Sequence, residues 1–500
     1  MKKGKIIFEK DYVKGNIDKR LFGSFIEHMG RAVYTGIYEP EHPDSDEQGF
    51  RKDVLELVKE LQLPIVRYPG GNFVSGYHWT DGIGRKEHRP SRLELAWKTI
   101  ETNEIGIDEF ADWSKKVGTS IMAVVNLGTG TPKEAAEMVE YCNHPSGTYW
   151  SNMRVANGHK KPHNIRTWCL GNEMDGDWQI CHLTADEYGR KAHEAAKMMK
   201  MADNTIELVA SGSSSPMLGT YPEWDRKVLE HLYNDVDYIS LHRYYYQEEN
   251  MTIGDFLLSY LDLNKFIKDV ITTADYVKTL KRSNKTMYLS LDEWNIWDMS
   301  KQWEIEEWKP ASPRIEDKYS LLDALVLGGL ICTMINHADR LKMGCLAQLV
   351  NVIAPILTEK GGKAIRQTIF YPFMHGSLNA KGKALNLRTD LPKIQSKRYG
   401  EADAVTVAAT YDEEKENIVL FALNCSQNDD IRIDVDFRGF GNVKVISHTV
   451  LDGNDLNAKN TFENPNTVVP REMKMVNFDT SDGIVIPKMS WNLVIFKNII

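Results

Sequence analysis

The chain is predicted to fold as an eight-fold β/α barrel followed by an all-β sandwich. Three observations predict it. Short apolar runs that end in polar residues recur eight times before residue 350, with helical patterns between them. After about residue 385 the helical periods stop, and short strand-like runs split by Gly, Asn and Asp take over. The length, 500 residues, fits one large barrel and one smaller domain.

The elements follow in order. Leu21 to Ile26 reads as a first buried strand ending at Glu27 and His28. Phe50, Val54, Leu57, Val58 and Leu61 recur at helical spacing, and Pro64 closes that helix. Ile65-Val66 opens a second strand, which delivers Arg67 ahead of the loop Pro69-Gly70-Gly71-Asn72. A helix over 108–117 stops at Gly118, and 120–126 is a third strand ending at Asn126. Thr131-Pro132-Lys133-Glu134 combines a capping box with proline at the first helical position, so a helix runs through Tyr141. Ile165 to Leu170 is an apolar run that breaks at Gly171 into Asn172-Glu173. A second capping box, Thr184 to Glu187, opens a helix to about Met201. Strands ending near Ser211, His242, Glu293 and Gln348 complete the eight, separated by helices over 223–233, much of 253–281, and about 316–335.

Beyond the barrel, runs at 405–410, 417–423, 431–435, 443–446 and 491–496 read as sandwich strands. Residues 5–13 alternate loosely and have no barrel role, so they are expected to pair into the sandwich. The resulting division is a catalytic barrel over 18–384 and a sandwich, jelly-roll-like, made of 1–17 plus 385–500.

Composition excludes several functions. A net charge of −9 and a pI of about 5.9, with no Lys/Arg-rich stripe, argue against a nucleic-acid partner. The basic start Met1 to Lys5 has no apolar stretch behind it, so no signal peptide is expected and the cytoplasm is the expected location. No run approaches the 18 or so apolar residues that a membrane span requires. Six cysteines are scattered without C-x-x-C spacing and read as buried small hydrophobes, neither bridges nor metal ligands.

Two stretches carry the chemistry. Glu173 and Glu293 both end apolar strands, 120 residues apart. In one parallel barrel both lie on the C-terminal rim and can face one substrate. Glycosidic cleavage needs such a pair: one carboxyl protonated to serve the leaving oxygen, the other ionised to attack or to activate water. Close carboxylates push each other's pKa values apart, which yields an acid and a base from one residue type. A strand-end Glu taken alone is more often an ordinary salt-bridged side chain.

The quartets around these glutamates resemble a known clan. Gly171-Asn172-Glu173 at strand four and Asp292-Glu293-Trp294-Asn295 at strand seven resemble the glycoside hydrolases with catalytic glutamates on those two strands. The chain is further similar to the α-L-arabinofuranosidases of glycoside hydrolase family 51. Gly23 to His28, Arg67 to Phe73, Gly76 to Trp79, Asp81 to Gly84, Ala96 to Thr99 and Cys169 to Gly176 carry this resemblance, which extends over nearly the whole chain. It implies a retaining, cofactor-free exo-hydrolase acting on arabinofuranosyl oligosaccharides from arabinan or arabinoxylan, with Glu173 as acid/base and Glu293 as nucleophile. It also implies a homo-oligomer, often a hexamer. Retention requires carboxyl groups about 5 Å apart.

Other strand-end residues are candidates for binding. Asn172 is expected to hydrogen-bond the sugar 2-hydroxyl, although a strand-end Asn also satisfies local backbone. Tyr244 is placed to donate to Glu293, or to serve as an aromatic wall. Arg67 either pairs with the nucleophile or forms a buried structural ion pair. Glu27, Asn72 and Gln348 are candidates to grip furanose hydroxyls. His242 either bonds a carboxylate or is structural. Trp97 and Trp297 either stack on sugar or pack in the core.

The rivals are an endo-acting glucanase of the same clan, a metal-dependent barrel isomerase and a non-catalytic sugar-binding barrel. A metal site needs several carboxylates and imidazoles converging on one ion, whereas these strand ends supply mostly Asn, Gln, Arg and Tyr. No metal is therefore expected. A degenerate binding barrel is expected to have lost one glutamate, and both are present.

Overall fold

A computed structural model describes residues 1–301, 304–473 and 483–499. Eight parallel strands close into a barrel: β1 (Gly23–Phe25), β2 (Ile65–Tyr68), β3 (Ser120–Val125), β4 (Thr167–Leu170), β5 (Glu207–Ala210), β6 (Tyr238–Tyr245), β7 (Tyr288–Ile296) and β8 (Leu341–Ala347). Each pairs with its successor in the chain, and β8 returns to β1. Strands covered on both faces read as unbroken apolar runs. The four residues of β2 and the four of β4 are all buried.

The helices form where caps and spacing place them. Thr131 and Thr184 accept hydrogen bonds from the backbone N–H of Glu134 and Glu187, opening Pro132–Asn143 and Ala185–Ala202. Gly118 ends Ile107–Val117 in the left-handed region, at φ +76°. Three details differ from the sequence reading. The span 253–281 holds two helices, Ile253–Leu257 and Tyr260–Leu280. The helix expected from 316 begins at Leu321, because Ser320 caps it and Asp323 bonds back to the Ser320 N–H. Tyr149–Ala156 and Phe370–Asn379 are further helices, too short or too uniformly apolar to show an amphipathic period.

The C-terminal part packs two sheets. Four strands run in the order Arg388–Asp390, Lys2–Glu9, Ile431–Arg438, Ile484–Ile486. Seven run in the order Val13–Asn16, Lys383–Leu385, Val405–Asp412, Asn417–Asn424, Ser490–Ile499, Asn442–Leu451, Arg471–Glu472. The single strand expected over 5–13 is thus two. A turn closed by the Tyr12 N–H on the Glu9 carbonyl sends one strand into each sheet. The apolar helix Leu321–Asn336 is buried along nearly its whole length between barrel and sandwich, where Gly328 lies against Trp491. Among the described residues no helix is long and apolar enough to cross a membrane. Five cysteines are buried, but Cys181 is exposed, a correction to the reading of all six as interior: it sits in the rim loop after β4.

Candidate active site

At the end of β4 the chain turns sharply. Gly171 takes φ +83° and Glu173 itself takes φ +43°, a region that a residue with a side chain rarely adopts. The turn lifts Glu173 off the strand and aims its carboxyl across the rim. Its Oε1 lies 2.9 Å from His242 Nδ1 on β6, and its Oε2 accepts a hydrogen bond from Trp178 Nε1 at 2.8 Å.

On β7 the register slips by one residue against β6, between Ser240 and His242, and against β8, between Leu291 and Trp294. The extra residue is a bulge, and it changes which side chains face inward. Glu293 Oε1 accepts from Arg67 Nη1 at 2.8 Å, and Oε2 accepts from the Tyr244 hydroxyl at 2.8 Å. Arg67 also donates through Nη2 to Asn172 Oδ1 at 2.6 Å. One guanidinium from β2 thereby ties the residue before Glu173 to Glu293. A carboxylate oxygen of Glu173, one of Glu293 and a nitrogen of His242 all lie within 4.8 Å of one another.

The electrostatics of this cluster are set by burial and by unequal partners. Burial alone would lower the His242 pKa, but Glu293, Asp292 and Glu173 outweigh it and hold the imidazole well above its ordinary value. His242 Nε2 lies 3.0 Å from Asp292 Oδ1. With a carboxyl oxygen at each nitrogen, both nitrogens are placed to donate, an arrangement that favours the imidazolium. Burial raises the Glu293 carboxyl above the usual range and Glu173 adds to this; His242, Arg67 and the Tyr244 hydroxyl pull it back.

A cavity of about 460 Å³ opens in front of the two glutamates. Glu27, Asn72, Trp97, Tyr244, Trp297 and Gln348 line it together with Glu173 and Glu293. Trp297 meets the Tyr244 ring edge-on at 5.2 Å. Glu27 Oε1 accepts from Trp97 Nε1 at 2.7 Å and from the Phe73 N–H at 2.9 Å. The Glu27 N–H donates in turn to Gln348 Oε1 at 3.0 Å. Burial pushes the Glu27 carboxyl up to about 8 despite these donors, and Glu293 reinforces it. Arg67, Asn172 and His242 are buried; Arg67 and His242 bond the glutamates, and Asn172 bonds Arg67 and, through Nδ2, the cavity residue Asn72.

The geometry also tests the metal-dependent alternative. Glu173, His242 and Glu293 are close enough to share an ion. The donor set does not fit one. The two glutamates are already engaged by hydrogen-bond donors, a guanidinium and a phenol on Glu293 and an indole N–H on Glu173, and the Arg67 cation at Glu293 repels a second positive charge.

Two residues of the site escaped the sequence reading. Trp178 bonds Glu173 and lines the cavity while remaining 47% exposed. It sits in a loop with no periodic pattern, so an aromatic five residues past a strand-end Glu was the only signal. Asp292 was quoted only as part of a motif, since strict alternation sends it away from whatever Glu293 faces.

The chain matches two family models: residues 57–253 match the α-L-arabinofuranosidase 1 domain, and residues 292–490 match the α-L-arabinofuranosidase C-terminal domain. It is 51% identical to the intracellular exo-α-(1→5)-L-arabinofuranosidase 1 of Bacillus subtilis (strain 168), over 99% of both chains. It is 51% identical to an intracellular exo-α-(1→5)-L-arabinofuranosidase of Halalkalibacterium halodurans, over 98% of both. Among solved structures, a family 51 α-L-arabinofuranosidase from Bifidobacterium longum superposes with a TM-score of 0.95 at 42% identity, covering 99% of this chain and 100% of that one. Likeness that runs from end to end in both sequence and backbone leaves one assignment: the chain belongs to the α-L-arabinofuranosidases of glycoside hydrolase family 51.

Proposed function

We propose that the protein is a retaining, exo-acting α-L-arabinofuranosidase that removes non-reducing terminal arabinofuranosyl groups from arabino-oligosaccharides. One observation carries the mechanism: a carboxylate oxygen of Glu173 lies within 4.8 Å of one of Glu293. That gap suits direct displacement, which calls for about 5 Å, and falls short of the roughly 6.5–9.5 Å of an inverting pair. Glu293, held by Arg67 and Tyr244, attacks the anomeric carbon. Glu173 protonates the leaving oxygen, then as carboxylate draws a proton from the incoming water. Asn172 Nδ2, whose hydrogen bond to Asn72 Oδ1 is long at 3.4 Å, is the donor for the sugar 2-hydroxyl. Glu27, Asn72 and Gln348 take the other hydroxyls, and Trp97 and Trp297 bound the ring.

The names of the two bacterial relatives support an α-(1→5) linkage, exo rather than endo action, and an intracellular location. We take the barrel as 18–384, with 1–17 and 385–500 forming the sandwich. A homo-oligomer, a hexamer by family resemblance, completes the reading, and light scattering in solution tests it.

The decisive experiment is a pair of variants. Glu293→Ala should abolish turnover of an aryl arabinofuranoside. Glu173→Ala should retain activity on a good leaving group, and added azide should restore rate and yield the retained arabinofuranosyl azide. Substantial turnover by Glu293→Ala, or an inverted product, refutes the assignment.

A further inference from the structure

The bulge in β7 places two consecutive side chains on one imidazole. Consecutive residues of a regular strand point to opposite faces. Here Asp292 Oδ1 lies 3.0 Å from His242 Nε2, and Glu293 Oε2 lies 3.6 Å from His242 Nδ1. The extra residue between Ser290 and Glu293 turns both inward. Asp292 is 1% exposed and does not itself line the cavity. A buried carboxylate at that depth destabilises the fold unless it has a partner, and its best-placed donor is His242. Its other oxygen has weaker company: Cys169 Sγ at 3.6 Å and Arg67 Nε at 3.7 Å.

We propose that Asp292 is a positioning residue: it takes the Nε2 proton of His242 as a hydrogen bond and so keeps Nδ1–H pointed at Glu173 Oε1. This rests on the reading of Glu173 as acid/base. The consequence is a choice between the two oxygens of Glu173. Both oxygens accept a hydrogen bond, Oε1 from His242 and Oε2 from Trp178 Nε1; the charged donor is the stronger, so it favours the carbonyl at Oε1 and leaves the transferable proton on Oε2. Oε2 is the oxygen bonded to Trp178, a residue that lines the cavity, whereas Oε1 is turned to the buried His242. Without Asp292, a neutral His242 can present a bare Nδ1 to Glu173. Nδ1 then accepts the acid's proton at Oε1, and the proton is held away from the glycosidic oxygen.

The groups facing the pair are few. His242 meets Glu173, Asp175 and Glu293. Asp292 meets Arg67, Cys169, Cys345 and Tyr188. Arg67 is the one cation in this second group, and it is engaged by Glu293 and Asn172. It therefore cannot replace the imidazolium beside Glu173.

The test is Asp292→Asn, assayed across pH on two aryl arabinofuranosides, one with an activated leaving group and one with a poor one. For the poor leaving group kcat/KM should fall about a hundredfold, the size of a lost general acid, while the activated substrate loses under about tenfold. A neutral His242 removes a positive charge next to both glutamates. Both limbs of the pH profile should then move upward, by about one unit. Equal losses on both substrates, or limbs that stay in place or move down, overturn the proposal. A second measurement avoids the variant: ¹⁵N shifts of the His242 ring in the intact protein should remain those of an imidazolium at pH 8. A neutral ring at pH 7 overturns the proposal as well. Failure of the underlying reading shows elsewhere, as an active Glu293→Ala or a Glu173→Ala that azide does not rescue.

Discussion

Arg67 on β2 and Glu293 on β7 form an ion pair across the barrel, with Nη1 and Oε1 2.8 Å apart. Their strands are not neighbours; β8 and β1 lie between them. Arg67 is 1% exposed, so the pair is a demand of the interior rather than a surface ornament. Removing one partner of such a pair leaves an uncompensated buried charge, which costs about 3–5 kcal/mol. Arg67→Met should therefore melt well below wild type, and its kcat should fall about 100-fold or more from the lost electrostatic support. Arg67→Lys should rescue little. A single ammonium cannot serve both Glu293 and Asn172, which the guanidinium fork holds together. Calorimetry and steady-state kinetics check both statements; a Lys variant with near-native kcat contradicts them.

Tyr244 holds the other oxygen of Glu293, and its loss should read out more narrowly. The hydroxyl donates to a charged acceptor, a bond worth about 1.5–3 kcal/mol. Tyr244→Phe should lower kcat by about 10- to 100-fold. The lost donor favoured the ionised form of Glu293. Its carboxyl then titrates higher, and the acid limb of the pH profile should move up. An unmoved acid limb refutes the donor role and leaves Tyr244 as a wall residue.

Glu27 should make binding sensitive to alkali. Its carboxyl titrates at about 8, so below that pH it is protonated and can donate to a sugar hydroxyl. Above it the buried carboxylate can only accept, and it repels Glu293. KM should rise as pH passes 8. Glu27→Gln resembles the protonated form, and its KM should stay flat over that interval. Stability follows the same sign. The unfolded chain ionises in the ordinary Glu range, so wild type loses stability steadily as pH climbs from there to about 8. At pH 8 Glu27→Gln should melt higher than wild type. A variant that melts lower at pH 8 than at pH 5, relative to wild type, contradicts this.

How much of this was legible in the residues depends on which physical rule applied. The barrel was, because strands buried on both faces leave apolar runs and each run here stops at a polar residue, from Glu27 to Gln348. Capping boxes at Thr131 and Thr184 fixed two helix starts to the residue. Period-based reading fails where the backbone departs from its period. The β7 bulge turns Asp292 toward His242, and no alternation rule places it there. Trp178 and Glu27's bond to Trp97 depend on loop paths that carry no periodic signal. The turn after Glu9 is faint for another reason: Lys10-Asp11-Tyr12 carries one turn-favouring residue, Asp11, and no Gly or Pro to punctuate the run.

The docking of the sandwich on the barrel rests on a close approach at Gly328. A Cβ built there would stand 2.4 Å from Trp491 Cε3, nearer than real atoms come. Two effects oppose each other in Gly328→Ala. Replacing glycine inside a helix by alanine stabilises it by about 0.5–1 kcal/mol through backbone entropy. Overpacking a fixed core costs about 1–3 kcal/mol. The indole cannot move aside easily, since it is fully buried and its Nε1 donates to His375 Nδ1 at 3.1 Å. The steric term should win, and Gly328→Ala should lower the melting temperature while the folded enzyme keeps its kcat and KM, since neither Gly328 nor Trp491 lines the cavity. A melting temperature at or above wild type in differential scanning calorimetry would show that helix Leu321–Asn336 can shift against Trp491 without loss.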